Sequence, residues 1–167
     1  MTKNLDDIGL KSVADHYDLF FVDLWGVVHN GIELYKESIN ALEKLLDKNK
    51  DLVLLTNAPR PNNDVKNFLK KMGLEEKYYS KVYTSGEAAL NYLTSNFKDK
   101  TFFHIGPPRD FGLFNKFKKN KIQKISEAKY LLCTGLFDEH DKELLYYKSL
   151  LKNEIDKIMI CTNPDLI

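Results

Sequence analysis

FFVDLWGVVHNG, residues Phe20–Gly31, carries the strongest structural signal in the chain. The apolar residues up to Val22 form a run that is short enough for a strand and too short for a typical helix. Asp23 follows directly, and Gly26 and Gly31 then favour a turning backbone. Open α/β sheets bind ligands at the carboxyl ends of their strands, so an acid at this point is placed for chemistry. Such a carboxylate can be a metal ligand, a base or a nucleophile, or it can simply cap the next turn.

Apolar runs alternate with segments of helical periodicity along the whole sequence. The predicted strands are Leu19–Asp23, Leu52–Thr56, Lys81–Thr84, Thr101–Ile105, Tyr130–Cys133 and Ile158–Cys161. The predicted helices lie at Lys36–Lys48, from Asn62 or Asn63 to Gly73, at Glu87–Leu93, around Phe111–Phe117 and at Asp138–Leu151. This alternation predicts an α/β fold with parallel sheets and right-handed crossovers.

A second polar motif, Thr56-Asn57, follows the second predicted strand, one βα unit after Asp23. Hydroxyl and amide groups can donate hydrogen bonds to phosphate oxygens, as can the backbone N–H groups of a turn. Taken alone, the segment is an ordinary turn that ends at Pro59. Because neighbouring parallel strands end at the same edge of a sheet, we expect both motifs to open into one cleft.

Composition excludes several classes of function. The chain has 167 residues, a hydrophobic fraction of 43% and a formal charge of +1, which is typical of a globular protein and indicates neither a nucleic-acid nor a membrane partner. The first residues lack the apolar core of a signal peptide, so we expect a cytoplasmic protein. Cys133 and Cys161 lie in apolar runs, and we expect both to be reduced, buried thiols.

These motifs resemble those of one family. Asp23–Val28 resembles motif one of the haloacid dehalogenase superfamily, and His29-Asn30-Gly31 resembles its class IIA branch of 4-nitrophenylphosphatase-like and sugar-phosphatase-like enzymes. Leu54–Arg60 resembles motif two, and the Thr-Asn-Pro-Asp run at 162–165 resembles a signature of the class IIA cap. The resemblance implies a Rossmann-like core with its first three strands at 1–86, followed by an incomplete α/β cap at 87–167.

The resemblance also implies a chemistry and assigns roles to residues. It implies a Mg²⁺-dependent phosphatase that hydrolyses a small phosphorylated metabolite through an aspartyl-phosphate intermediate. Asp23 is then the nucleophile and a metal ligand, and the backbone carbonyl of Trp25 is a second metal ligand. Thr56 and Asn57 hold the phosphate, and Arg60 matches a position that is common in class IIA.

Three parts of the family pattern are absent from this sequence. Trp25 stands where the family has a second acid that protonates the leaving group, and the nearest alternative acid is His29. The family's motif-three Lys and motif-four Asp follow the cap, and neither is found here. We therefore expect the chain to be the N-terminal part of a longer hydrolase, with an open edge beside its first strand. We expect this part alone to be inactive.

Two other functions stay open at this point. Dehalogenases of the same superfamily carry an aromatic residue at the position of Trp25 and need no Mg²⁺, which makes a metal-independent hydrolase the second reading. A truncated, non-catalytic binding module is the third. The resemblance also leaves a homodimer through the cap open, whereas the residues themselves indicate no oligomeric state.

Overall fold

The computed structural model describes residue 5 and residues 8–163, and it confirms the predicted α/β fold with parallel sheets. The strands are β1 (Leu19–Val22), β2 (Asp51–Thr56), β3 (Val82–Thr84), β4 (Phe102–Ile105), β5 (Tyr130–Cys133) and β6 (Ile158–Cys161). The α-helices are α1 (Lys11–Ala14), α2 (Lys36–Asp47), α3 (Asn62–Lys71), α4 (Glu76–Tyr79), α5 (Ser85–Asn96) and α6 (Leu144–Leu151). Shorter 3₁₀ segments lie at Pro108–Asn120, Ile125–Glu127 and Asp138–His140.

The first sheet has the order β1-β2-β3, so β1 lies at its end. β1 and β2 run parallel, and Val22 is the partner of Leu54. The alternating side chains of β2 are buried at Leu52, Leu54 and Thr56, whereas Leu19 and Phe21 of β1 are 45% and 64% exposed. Among the described residues, no strand pairs with the outer edge of β1, as predicted.

The second sheet has the order β4-β5-β6 and is also parallel. One apolar cluster is built around Phe102, Tyr130 and Leu132, and it includes Leu93 from α5 and Leu113 from the long 3₁₀ segment. A second cluster is built from other residues of the same strands. Because successive side chains of a strand point to opposite faces, the two clusters cover the two faces of this sheet. They are formed by Leu93, Phe97, Phe102, Leu113, Phe114, Tyr130 and Leu132, and by Ile105, Ala128 and Leu131.

Two helix predictions need correction. The segment Pro108–Asn120 is a 3₁₀ helix with non-helical backbone at Phe114 and Phe117, and the three-residue spacing of its phenylalanines is the period of that helix. The single helix predicted at Asp138–Leu151 is wrong. Only a 3₁₀ turn forms at Asp138–His140, and Lys142 has a φ of 65°, which interrupts a right-handed helix before α6 begins at Leu144.

The prediction that both cysteines are buried is wrong for one of them. Cys133 is half-buried in the middle strand of the second sheet, whereas Cys161 is exposed. Cys161 is exposed because β6 is the outer strand of the second sheet, and most residues of this strand are exposed. Both thiols are free, as expected.

Contacts group the chain into two compact units. The first contains residues up to Thr56 together with Val65–Tyr83, and the second contains Asn57–Asp64 together with residues from Thr84 onward. The division into domains at residue 86 stays a prediction. In the part of the chain that the structure describes, no helix is both long and apolar enough to cross a membrane.

Candidate functional site

The first unit places Asp23 directly after β1, with its side chain exposed. Its Oδ1 accepts a hydrogen bond from the N–H of Leu24 at 2.8 Å. Because β1 and β2 are parallel neighbours, the strand end that carries Asp23 and the strand end that carries Thr56 lie at the same edge of the sheet. Thr56 is 8% exposed and closes β2. An accessible carboxylate and a hydroxyl thus follow two adjacent strands at the edge where such sheets bind ligands.

The loop after Asp23 is closed by its own backbone. The carbonyl of Leu24 accepts hydrogen bonds from the N–H groups of Val28 at 2.8 Å and His29 at 3.2 Å, and the N–H of Gly26 donates to the carbonyl of His29 at 2.9 Å. Gly26 has a φ of 75°, in the left-handed region that favours glycine. The turn signal read from the two glycines is therefore confirmed, and the loop holds the residue after Asp23 in a fixed position.

Trp25 stands where the family resemblance places a second acid, and its side chain is 65% exposed. A Cβ placed on Gly31 would overlap the Trp25 ring, so the indole lies directly against that glycine. The ring also contacts His29 edge to face, with centroids 5.9 Å apart. An indole N–H donates hydrogen bonds but has no useful acidity, so this side chain cannot protonate a leaving group.

His29 is 5% exposed, and its Nδ1 accepts a hydrogen bond from the N–H of Gly31 at 3.0 Å. The ring also packs against Phe68, with centroids 5.4 Å apart. Burial lowers the pKa of His29, and the charge of Asp23 only partly opposes this effect. An Nδ1 that accepts a hydrogen bond leaves the proton of the neutral ring on Nε2, and protonation would break that bond. These contacts support the loop, and they disfavour an acid role for His29. That role stays an untested prediction.

Two other predicted residues belong to the second unit. The Asn57 side chain is exposed, and its Nδ2 lies 3.4 Å from Oδ1 of Asn163. The Nε of Arg60 lies 3.9 Å from Oδ1 of Asp110, and the Arg60 carbonyl accepts a hydrogen bond from the Thr84 hydroxyl at 2.5 Å. In the Thr-Asn-Pro-Asp run, positions 164 and 165 lie outside the described residues. The phosphate-binding role of Asn57 and the role of Arg60 stay predictions.

Ser85 and Gly86 contact the backbone of the segment from Asn57 to Arg60, and the sequence did not predict these contacts. The Ser85 hydroxyl lies within hydrogen-bonding distance of the carbonyls of Asn57 at 2.6 Å, Ala58 at 3.0 Å and Thr162 at 2.5 Å, and it can donate to one of them at a time. A Cβ on Gly86 would overlap the Arg60 backbone, so only glycine allows this close approach. The Ser-Gly pair after β3 was the available signal, because small residues at a strand end often mark tight backbone contacts.

The second unit also contains a group of buried, hydrogen-bonded polar side chains that the sequence did not predict. Asp110 is 5% exposed, and burial raises its pKa, while a hydrogen bond with Thr134 and the charge of Arg60 oppose that effect. Thr134 Oγ1 lies 2.8 Å from Nε2 of His104. Burial, together with the nearby Lys121, lowers the pKa of His104 to about 4. No local sequence pattern predicts this group of polar side chains, because Asp110, Thr134 and His104 come from three separate segments.

The described residues include no group of three or more His, Cys, Asp or Glu side chains placed to hold a metal ion. The donors that the sequence suggests for Mg²⁺ are the Asp23 carboxylate and the Trp25 carbonyl. Both are hard oxygen donors, and Mg²⁺ commonly takes one or two carboxylates and completes its shell with water and substrate phosphate. The donor set of this chain therefore fits part of a magnesium site.

Comparisons with known proteins agree with the fold and with the family resemblance. A family model described as haloacid dehalogenase-like hydrolase matches residues 20–119. A hydrolase of the haloacid dehalogenase-like family from Brucella suis is 32% identical, with a TM-score of 0.80 over 99% of this chain. A 4-nitrophenylphosphatase from Thermotoga maritima is 26% identical, with a TM-score of 0.63 over 92% of the chain. A putative nagD protein is 25% identical, with a TM-score of 0.63 over 90% of the chain.

The matches do not extend over the whole of these relatives. The chain covers 61% of the Brucella protein, 57% of the Thermotoga protein and 58% of the putative nagD protein. No curated protein matches the sequence. The family model nevertheless spans more than half of the chain, and it includes both Asp23 and Thr56. The chain belongs to the family of haloacid dehalogenase-like hydrolases.

Proposed function

We propose that the chain carries the nucleophile of a Mg²⁺-dependent phosphatase that acts on a small phosphate ester. The observation that carries this proposal is the exposed carboxylate of Asp23 at the carboxyl end of β1, beside the strand that ends in Thr56. Phosphoryl transfer needs positioning and charge stabilisation more than an unusually reactive nucleophile. An accessible aspartate at such a strand end meets that requirement.

The proposed reaction has two steps. A carboxylate oxygen of Asp23 attacks phosphorus, the ester P–O bond breaks, and the leaving group departs as an alkoxide or aryloxide that takes a proton from water, so that an aspartyl-phosphate forms. Water then attacks this intermediate, which releases inorganic phosphate and restores the carboxylate. Thr56 and Asn57 donate hydrogen bonds to phosphate oxygens. The Asp23 carboxylate and the Trp25 carbonyl would hold Mg²⁺, which would supply positive charge against the phosphate.

The activity proposed here is that of a whole hydrolase of this family. The chain covers only 57–61% of the three relatives described above, and the resemblance assigns a Lys and a further Asp to motifs that follow the matched part. Small phosphate esters are the proposed substrate class because one similar protein is named a 4-nitrophenylphosphatase. We expect the 167-residue chain alone to show no turnover.

The test is phosphate release from 4-nitrophenyl phosphate by the complete natural protein, compared with its Asp23→Asn variant. The amide cannot act as the nucleophile, so we expect the variant to lose activity by several orders of magnitude. Asp47→Asn is the matched control, because Asp47 is an exposed acid at the end of α2. Unchanged activity in Asp23→Asn would overturn the proposal.

Two further measurements separate the alternatives. Activity that persists in EDTA, with release of halide from a haloacid, would indicate the metal-independent dehalogenase reading. Binding of phosphate without turnover in the complete protein would indicate a binding module. We expect neither result, because the motif at 162–165 matches the class IIA cap signature rather than a dehalogenase feature.

A further inference from the structure

Cys133 and Cys161 end two neighbouring strands of the second sheet and are partners in the register of β5 and β6. Side chains of partner residues in a parallel pair point to the same face of the sheet. The two thiols are close enough to influence each other: burial first, and then the neighbouring Cys161 thiol, raise the pKa of Cys133 to about 11. The chain contains two cysteines in all, and the fold brings them side by side.

The two thiols have different surroundings. Cys161 is exposed, and its Sγ lies 3.4 Å from the carbonyl of Asn163. Cys133 is half-buried and packs against the apolar cluster around Ile105 and Leu131. An oxidant in solution therefore reaches Cys161 first, while Cys133 lies behind it as a second thiol that water reaches poorly. This is the arrangement of a reactive cysteine beside a resolving cysteine.

We propose that Cys133 and Cys161 form a reversible disulfide when the protein meets a peroxide. The thiolate of Cys161 attacks one peroxide oxygen and breaks the O–O bond, which gives a sulfenic acid and a hydroxide, and this hydroxide takes up the proton that Cys161 released and becomes one water. The thiolate of Cys133 then attacks the Cys161 sulfur and displaces hydroxide, which takes up the proton that Cys133 released and becomes a second water. The two thiols lose two electrons and two protons in total, and hydrogen peroxide is reduced to two waters.

The sheet geometry makes this disulfide easy to reduce. Neighbouring strands lie about 4.8 Å apart, which is within the Cα separation of about 4.4–6.8 Å that disulfides allow. The Cβ atoms of such a bridge lie only about 3.5–4.5 Å apart, so the ends of β5 and β6 must move closer together. A strained disulfide is more oxidising than a relaxed one, and glutathione reduces it more readily.

The disulfide would act on the segment that follows β6. The N–H of Thr162 donates to the carbonyl of Cys133 at 2.9 Å, and the carbonyl of Thr162 lies 2.5 Å from the Ser85 hydroxyl. Asn163 contacts Asn57 through the side-chain amides. Any effect of oxidation on phosphate binding by Asn57 depends on the proposed function, but formation of the disulfide itself does not.

The test treats the native 167-residue chain with hydrogen peroxide, alkylates the remaining thiols and maps the peptides without reduction. We expect a peptide pair linked through Cys133 and Cys161 in a monomeric protein, and we expect glutathione to reverse the link. The same treatment in urea is the comparison. A link that forms only in urea, or exclusively between two chains through Cys161, would overturn the proposal, as would two thiols that stay alkylatable.

Two variants test the assigned order of events. In Cys161→Ser, we expect Cys133 to stay reduced at peroxide concentrations that oxidise the native pair. In Cys133→Ser, we expect Cys161 to be oxidised past the sulfenic acid or to cross-link two chains, because the resolving thiol is gone. Equal oxidation of Cys133 with and without Cys161 would contradict the order. The peptide map of the unsubstituted chain decides the proposal even where a variant folds poorly.

Discussion

At the scale of single residues, Trp25 stands where the family resemblance places an acid. The proposed site therefore has no general acid at this position. A general acid contributes roughly 10²–10⁴-fold to the rate of a step that it assists, and the indole cannot supply that assistance. The reaction then depends on how well the alcohol leaves without a proton. Phenols with electron-withdrawing groups leave more easily than alkyl alcohols, so we expect the proposed site to favour aryl phosphates.

The first prediction restores the acid with Trp25→Asp in the complete natural protein. We expect kcat/KM for an alkyl ester such as glycerol phosphate to rise by about 10²–10⁴-fold, with little change for 4-nitrophenyl phosphate. Trp25→Asn is the matched control, since it removes the ring and offers no acid. An equal change for both substrates in Trp25→Asp would contradict this account.

The second prediction concerns His104, which is buried beside Thr134. Its folded pKa is lowered from 6.5 to about 4, so below pH 6.5 the unfolded chain binds more protons than the folded chain. Stability that is present above pH 6.5 is therefore lost as the pH falls towards 4. This corresponds to about 3 kcal/mol in the free energy of unfolding.

Urea denaturation at a series of pH values measures this loss. We expect the variant His104→Gln to have a flatter dependence of the free energy of unfolding on pH between about 6.5 and 4. His16→Gln is the control, because it makes the same exchange of residue type at an exposed position. A slope that is equally steep in His104→Gln and in the unsubstituted chain would show that other groups cause the loss.

At the scale of elements, α5 begins directly after β3, and one hydroxyl joins the two. Thr84 is fully buried, its Oγ1 accepts from the N–H of Glu87 at 2.9 Å, and it donates to the Arg60 carbonyl. The third prediction is that Thr84→Val lowers the free energy of unfolding by about 1–2 kcal/mol, because it keeps the volume and loses the cap. Thr84→Ser keeps the hydroxyl and should lose less. Equal losses in urea denaturation would argue for packing instead of capping.

The elements also show why sequence predicted some segments and not others. β5 is an apolar run that is almost fully buried, and β2 is an apolar run that buries alternate residues, and burial of this kind leaves a clear signal in sequence. The interruption of the helix at Lys142 left no signal in the sequence, because lysine rarely adopts the positive φ that this residue has. The positions of Asp23 and Thr56 at strand ends were predictable from pattern, whereas the chain of Asp110, Thr134 and His104 depends on tertiary contacts.

At the scale of the whole molecule, β1 leaves one side of the first sheet without a partner strand among the described residues. Leu19 and Phe21 are exposed on the same strand, and an unpaired apolar edge favours association. The fourth prediction is that the 167-residue chain self-associates with rising concentration, and that Phe21→Lys reduces this association. Light scattering coupled to gel filtration measures it.

Tyr92→Lys is the control for this experiment, since Tyr92 is an exposed aromatic residue on α5, with 51% of its surface accessible. We expect it to leave the association unchanged. A dimer that forms equally well in Phe21→Lys would contradict a role for β1. Such a result would instead fit the homodimer through the cap that the family resemblance left open.

The placement of Trp25 offers a practical advantage. It is the single tryptophan of the chain, and its indole lies on the loop that begins at Asp23, largely open to water. The tryptophan emission of the unlabelled chain therefore originates two residues from the proposed nucleophile. A titration with phosphate or Mg²⁺ that changes the environment of this loop should be readable as a change in emission intensity or wavelength, without a dye or a coupled assay.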